Sequence, residues 1–203
     1  MKQEDKSHIL LRIPERISTR RLVIRNYVPE DATSLWLAVE ESRESIEPWL
    51  RWPRDVRNVD TARIRIRYLQ AEWILRDRLV WGLFSKEDQQ LFGEIGLVHP
   101  DWSVVSFQVS YWLRKSAQGH GYMREALRAI TALVFETISA SRVEVRVESD
   151  NLRSRKVPEA LGYRLEGVLR RDHVGLDGEL TDMYVYALTS EDYEDIRLGS
   201  EDQ

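Results

Sequence analysis

The sequence predicts an α/β (α+β) protein with a mixed, mostly antiparallel central sheet and helices on both faces. Three observations predict it. Hydrophobic periodicity changes along the chain in the order strand, two helices, three strands, helix, strand, helix, two strands. The consecutive strands in the middle are separated by too little chain for a crossover, so they run antiparallel. The strand–helix–strand unit from Val105 to Glu148 must instead be parallel, with a right-handed crossover.

The elements follow in order. Residues 1–16 read as a loosely held N-terminal arm, residues 17–197 as one domain, and residues 198–203 as a C-terminal tail. Arg20–Arg25 is a strand in which Leu22 and Ile24 share one face, with arginines flanking the apolar stretch. Pro29, Glu30 and Asp31 open a helix, with acidic residues where the helix dipole favours them. Its buried face is Ala32, Leu35, Trp36 and Val39. Asp60 is the expected cap of a second helix, whose apolar stripe is Ala62, Ile66, Leu69 and Trp73. Leu79–Phe84 and Leu91–Val98 flank the polar stretch Lys86–Gln90 and form a hairpin. Val105–Leu113 is the next strand, with Phe107, Val109, Tyr111 and Leu113 on one face. A long helix over 121–138 carries Met123, Leu127, Ile130, Val134 and Ile138 on one side. Val143, Val145 and Val147 alternate through the strand Arg142–Glu148. A short helix runs from Asn151 and stops at Gly162, a residue suited to a helix end. Tyr163–Arg170 and Thr181–Leu188 close the sheet, joined across the turn residues Asp177 and Gly178.

Composition narrows the function. The chain has 203 residues, 42% hydrophobic and 32% charged, which suits a well-solvated domain with a real core. It has no cysteine, so a disulfide scaffold, a thiolate metal site and a cysteine nucleophile are excluded. No apolar run approaches the ~20 residues that span a bilayer. Met1–His8 lacks the apolar segment of a secretory signal, and the reading is a cytoplasmic protein with no membrane partner. A net charge of −4 argues against direct nucleic-acid binding. Arg63, Arg65 and Arg67 are either a solvated helix face or a local patch for an anionic partner. His8, His99, His120 and His173 show no metal-ligand spacing, so no metal is expected.

Two segments can carry chemistry. Gln118, Gly119, His120, Gly121, Tyr122 and Met123 follow a strand and open an amphipathic helix. Glycines let backbone amides approach a ligand, and a helix N-terminus favours an anion. The lysine and hydroxyl residue of a nucleotide triphosphate loop are missing, and Arg124 stands where a dinucleotide fingerprint needs its third glycine. On its own the segment is either a phosphate cradle or a plain glycine turn. The second segment places Asn151 as an N-cap with Ser154 in the first helical turn. It reads either as capping alone or as a polar pair facing a ligand. Pro158 lacks an N–H, so the Ser154 carbonyl loses its usual helical partner.

These segments, with Ser18–Arg25, Trp49–Trp52, Gly93–Gly96, Tyr111–Leu113 and Asp182–Tyr186, resemble the GNAT superfamily of acyl-CoA N-acyltransferases over about residues 17–193. The resemblance is closest to the branch that acetylates the N-termini of ribosomal proteins. It implies a sheet splayed at one parallel pair, acetyl-CoA as acetyl donor, and a primary amine as acceptor. It implies that Gln118–Met123 binds the pyrophosphate, that the backbone of Tyr111, Trp112 and Leu113 pairs with the pantetheine, and that Asn151 contacts the same arm. Ser154 matches a serine that protonates the leaving thiolate. The tyrosine used as general acid elsewhere in the superfamily would fall at Pro158. Glu94 is the candidate base, with a structural carboxylate as the competing reading. Trp49 and Trp52 are candidate acceptor-pocket residues or, alternatively, core aromatics. An α-amine has a pKa near ~7.7–8.0 against ~10.4 for lysine, so an N-terminal acceptor needs only a weak base. The alternatives are acetylation of a small-molecule amine or antibiotic, and a non-catalytic CoA-binding regulatory module. Oligomeric state stays open, with a homodimer among the options.

Overall fold

The computed structural model describes residues 7–176 and 178–201. Eight strands form one sheet: β1 (Arg16–Ser18), β2 (Leu22–Arg25), β3 (Leu79–Ser85), β4 (Leu91–Asp101), β5 (Ser106–Leu113), β6 (Arg142–Glu148), β7 (Arg164–Val174) and β8 (Leu180–Thr189). The order across the sheet is β1-β2-β3-β4-β5-β6-β8-β7. Every pairing is antiparallel except β5 with β6. Among the described residues five α-helices surround it: α1 (Ala32–Ile46), α2 (Val59–Leu75), α3 (Tyr122–Glu136), α4 (Leu152–Glu159) and α5 (Ser190–Glu201).

 The predicted strand-and-helix order is therefore present, and the sheet places α1 and α2 on one face and α3 on the other. Helix α4, which spans Leu152–Glu159, packs against α3.

Strand alternation sets the two cores. Leu22, Ile24, Trp81, Ile95, Leu97, Phe107, Val109, Val143 and Val145 point to the α3 side and meet Met123, Leu127, Ile130 and Val134. Val23, Val80 and Trp112 point the other way and meet Leu35, Val39, Ile66 and Leu69 of α1 and α2. Trp81 is fully buried, and truncating such a side chain to alanine costs about 3–5 kcal/mol.

Several boundaries differ from the sequence reading. The N-terminal arm is not loose where it is described. Ile13 is buried in the α3-side core, the Trp81 indole donates to the Pro14 carbonyl at 3.1 Å, and His8 stacks on Trp102. A three-residue strand is too short to announce itself by alternation, so β1 was not expected. The expected strand at Arg20 begins at Leu22, because Thr19 turns back to bond the Leu22 backbone. Asp60 does not cap α2. Asn58 does, accepting the Thr61 N–H at 2.9 Å, while Asp60 pairs with Arg63. The strand expected from Val105 starts at Ser106, since Val105 has φ 52°. Helix α3 stops at Glu136 rather than residue 138. Residues 198–201 of the expected tail are the end of α5, whose acidic first turn (Glu191, Asp192) follows directly on β8, and the rest of it lies outside the described residues. Asp177 of the expected closing turn lies outside the described residues. No helix among the described residues is long and apolar enough to cross a membrane.

The feature that positions the site is a short ladder. Strands β5 and β6 pair only at Ser106↔Arg142, Phe107↔Val143 and Gln108↔Glu144. Beyond that point they diverge, and the rest of β5 is paired on its β4 edge alone.

Candidate active site

The divergence of β5 and β6 opens a cleft of about 1430 Å³. Its walls are Val109–Leu113 of β5, Val145–Glu148 of β6, the turn leading into α3, the start of α4 and the loop after α1. Backbone polar groups along the open edge of β5 have no strand partner, so an extended ligand with amides can take a strand's place.

One end of the cleft is built for an anion. Gly119 and Gly121 have φ 81° and 77°, a region that costs an L-residue roughly 1–2 kcal/mol. Gly121 is the N-cap of α3 and supplies no side-chain cap, so the first-turn amides are left for a ligand. A Cβ at Gly119 would meet nothing within 4 Å, which leaves room for close approach. Arg124 and Arg153 add positive charge to the lining. The turn is held from behind by Gln118, whose amide donates to the Leu113 carbonyl at 3.0 Å and whose oxygen accepts from Arg153 at 3.2 Å. Helix α1 fixes the approach: Ser42 accepts the Lys115 N–H at 3.0 Å and Glu41 accepts the Ser116 N–H at 2.8 Å.

The middle of the cleft holds a hydroxyl pair. Asn151 caps α4 by accepting the Ser154 N–H at 3.2 Å. The Ser154 hydroxyl donates to the Tyr111 hydroxyl at 3.2 Å. Tyr111 in turn donates to the Ser154 carbonyl at 2.9 Å. That carbonyl is the one Pro158 cannot serve, so a side chain from β5 satisfies what the proline leaves open. Burial pushes the Tyr111 hydroxyl well above its ordinary pKa, although its bond to Ser154 works the other way. Tyr111 therefore keeps its proton at neutral pH.

Among the residues singled out from sequence, the cleft brings together Tyr111, Trp112, Leu113, Gln118, Gly119, Gly121, Met123, Asn151, Ser154 and Trp49. It leaves four outside its lining. Glu94, the candidate base, is one. It sits on β4 opposite Trp112, on the α1–α2 side of the sheet, and is only 7% exposed. Its Oε1 is bound by Arg65 at 2.7 Å. The same guanidinium lies 3.6 Å over the Trp52 ring, and Trp52 packs on Trp112. Trp52 is thus a wall support rather than a lining residue. Burial first, and the Glu94 charge next, push the Tyr27 hydroxyl well above its usual value. His120 and Tyr122 turn away together. Their rings stack, and Tyr122 also meets Phe92 and the Arg21 guanidinium.

The arginines of α2 do not form a patch. Arg63 pairs with Asp60, Arg65 with Glu94, and Arg67 bonds Gln70. Among the described residues, no group of three or more His, Asp or Glu is placed to hold a metal ion.

Two contributions escaped the sequence. The Tyr111 side chain is one, and the carbonyl orphaned by Pro158 was the signal that a donor had to arrive. The other is His173 on β7, which lines the cleft with its Nε2 3.8 Å from Glu148 Oε1 on β6. Nothing local marks that pair, because α4 and most of β7 separate the two residues along the chain, β8 lies between their strands in the sheet, and only the fold brings the side chains together.

Residues 21–164 match the family model for the acetyltransferase (GNAT) domain. The chain belongs to the GNAT acetyltransferase family. It is an acyltransferase. Over 190 residues it is 26% identical to the ribosomal protein uS5-alanine N-acetyltransferase of Escherichia coli, covering 88% of this chain and 92% of that one. Among solved structures it is similar to a ribosomal L7/L12 α-N-protein acetyltransferase in complex with coenzyme A. That likeness has TM-score 0.80 at 20% identity and covers 86% of this GNAT chain and 98% of the other. The microcin C7 self-immunity acetyltransferase, in complex with acetyl-CoA and AMP, superposes with TM-score 0.81 at 20% identity, over 87% and 97% of the two chains.

Proposed function

We propose that this chain moves an acetyl group from acetyl-CoA to a protein N-terminal α-amine, such as that of a ribosomal protein, in the cytoplasm. The observation that carries the reading is the Tyr111–Ser154 hydroxyl pair, set between an anion-binding turn and an imidazole–carboxylate pair in one cleft. Acetyl-CoA supplies an acetyl group activated as a thioester. The residues present fit it. The amides after Gly119 and Gly121 suit a pyrophosphate, the open edge of β5 suits the pantetheine amides, and Asn151 stands beside them.

Four roles follow for the chain's own groups. Backbone N–H groups on the open edge of β5 steady negative charge as it develops on the carbonyl oxygen. Ser154 holds a proton for the departing thiolate, and Tyr111 keeps Ser154 in place from its carbonyl and its hydroxyl. His173, 3.8 Å from Glu148, takes the proton from the attacking amine. Trp49 walls the acceptor end, and Trp52 backs Trp112. One relative is a ribosomal protein uS5-alanine N-acetyltransferase and one structural neighbour a ribosomal L7/L12 α-N-protein acetyltransferase by their names, which supports an α-amine here. The low basicity of α-amines supports it as well.

The test offers two synthetic peptides, one with a free N-terminus and no lysine, the other N-blocked with one free lysine. CoA thiol release is followed at pH 7. The first peptide should turn over and the second should not. Turnover of the lysine peptide, or of a polyamine in preference to both, overturns the acceptor assignment.

A further inference from the structure

The connection between β1 and β2 reaches across to the start of α3 and grips it. Glu125, in the first turn of α3, accepts the Thr19 hydroxyl at 2.6 Å and the Arg21 N–H at 2.7 Å on one oxygen. Its other oxygen accepts Arg21 Nε at 2.7 Å. Arg21 Nη1 goes on to the His120 carbonyl at 2.9 Å. The same guanidinium lies 4.5 Å from the Tyr122 ring centroid, and its Nη2 is 3.6 Å from where a Cβ on Gly121 would stand. Residues 120–122 are therefore clamped on the side away from the cleft, while Gly119, Gly121 and Met123 line it.

We propose that Arg21 is a positioning residue for the donor, holding the Gln118–Met123 turn in its phosphate-binding shape and neutralising Glu125. This rests on reading that turn as the pyrophosphate site. Two physical effects converge. The turn contains two left-handed glycines, which sample many backbone states when free, and the Arg21–His120 bond removes that freedom. Glu125 is also a carboxylate in the first helical turn, where it would oppose a bound anion. Arg21 and Thr19 occupy both of its oxygens and turn it away. Glu125 is held below the usual carboxylate range: burial opposes ionisation, but the bonds from Thr19 and Arg21 outweigh it. The ion pair is partly sheltered, with the two side chains 34% and 17% exposed.

The experiment compares Arg21→Gln, Glu125→Gln and the double variant with the parent, using two donors. One is acetyl-CoA. The other is acetyl-pantetheine, which has the thioester and both amides but no phosphate. Arg21→Gln should raise KM for acetyl-CoA and Kd for CoA by about tenfold or more, the loss of one charge-assisted contact. Its kcat at saturating donor, its acceptor KM and its kcat/KM for acetyl-pantetheine should hold. The double variant should recover part of the CoA affinity, because the unpaired carboxylate is gone. An equal loss with both donors overturns the proposal, since that is general damage to the fold. CoA binding unchanged in Arg21→Gln also overturns it. Failure of the parent protein to bind CoA is a separate result and sinks the reading of the turn itself.

Discussion

Replacing Tyr111 with phenylalanine tests how α4 is held. The ring stays, so no cavity opens and the loss is confined to one hydroxyl. That hydroxyl accepts from Ser154 Oγ and donates to the Ser154 carbonyl. Without it the carbonyl has no helical donor, because residue 158 is proline. A buried acceptor left unpaired costs about 1–3 kcal/mol. For a chain of this size each 1 kcal/mol lowers Tm by roughly 2–4 °C, so Tyr111→Phe should melt roughly 2–12 °C lower. The cause can be isolated. Pro158→Ala restores an N–H in the right turn of α4, at the cost of part of a buried ring. In a double-mutant cycle by urea unfolding, the two changes together should be more stable than their sum by about 1–2 kcal/mol. Strict additivity refutes the claim that Tyr111 serves the carbonyl that Pro158 leaves open.

Four further outcomes are expected. Ser154→Ala should lower kcat about 10²-fold or more in a thiol-release assay, with little change in Tm. His173→Gln should lower kcat/KM by a similar factor in the same assay. Glu94→Gln should leave kcat/KM in place, whereas Glu94→Ala should cost about 3–5 kcal/mol in urea unfolding, because it strands Arg65 without its partner. Acid should destabilise the fold through Glu125 and Glu166, both held below the usual range; for Glu166 the Arg142 bonds are the leading cause. Depressed folded-state values give a contribution complete above about pH 4.3 and lost as pH falls through them. Thermal melts from pH 6 to 3 should show the drop, and it should be shallower in Glu125→Gln.

Sequence legibility followed the range of each interaction. Alternation in Val143, Val145 and Val147 and the stripe on α3 were plain, because each reports a nearby burial pattern. The Gln118–Met123 turn was visible because glycine spacing is local. Asn151 as a cap and the orphaned Ser154 carbonyl were visible for the same reason. What satisfied that carbonyl was not, since Tyr111 lies 43 positions away. Glu94 was placed correctly on a central strand, but nothing local named its partner. Strand position gives the face of a side chain and not its partner, and Arg65 of α2 had claimed the carboxylate. Asp60 and Asn58 were both sound caps by type, and only backbone geometry separates them: Asn58 is extended and its oxygen meets the Thr61 N–H. The anchorage of the N-terminal arm was not visible, because a buried Ile13, the Trp81 bond to the Pro14 carbonyl and the His8–Trp102 stack leave no periodic trace.

The short ladder between β5 and β6 has a consequence for cohesion. Strands β1–β5 and strands β6, β8 and β7 are two half-sheets, and three residue pairs are the backbone seam between them. On the function proposed above, a donor paired with the open edge of β5 and touching β6 would bridge that seam. Occupancy and mechanical continuity would then be one event, and the native state would gain RT ln(1 + [L]/Kd) where it is most weakly joined.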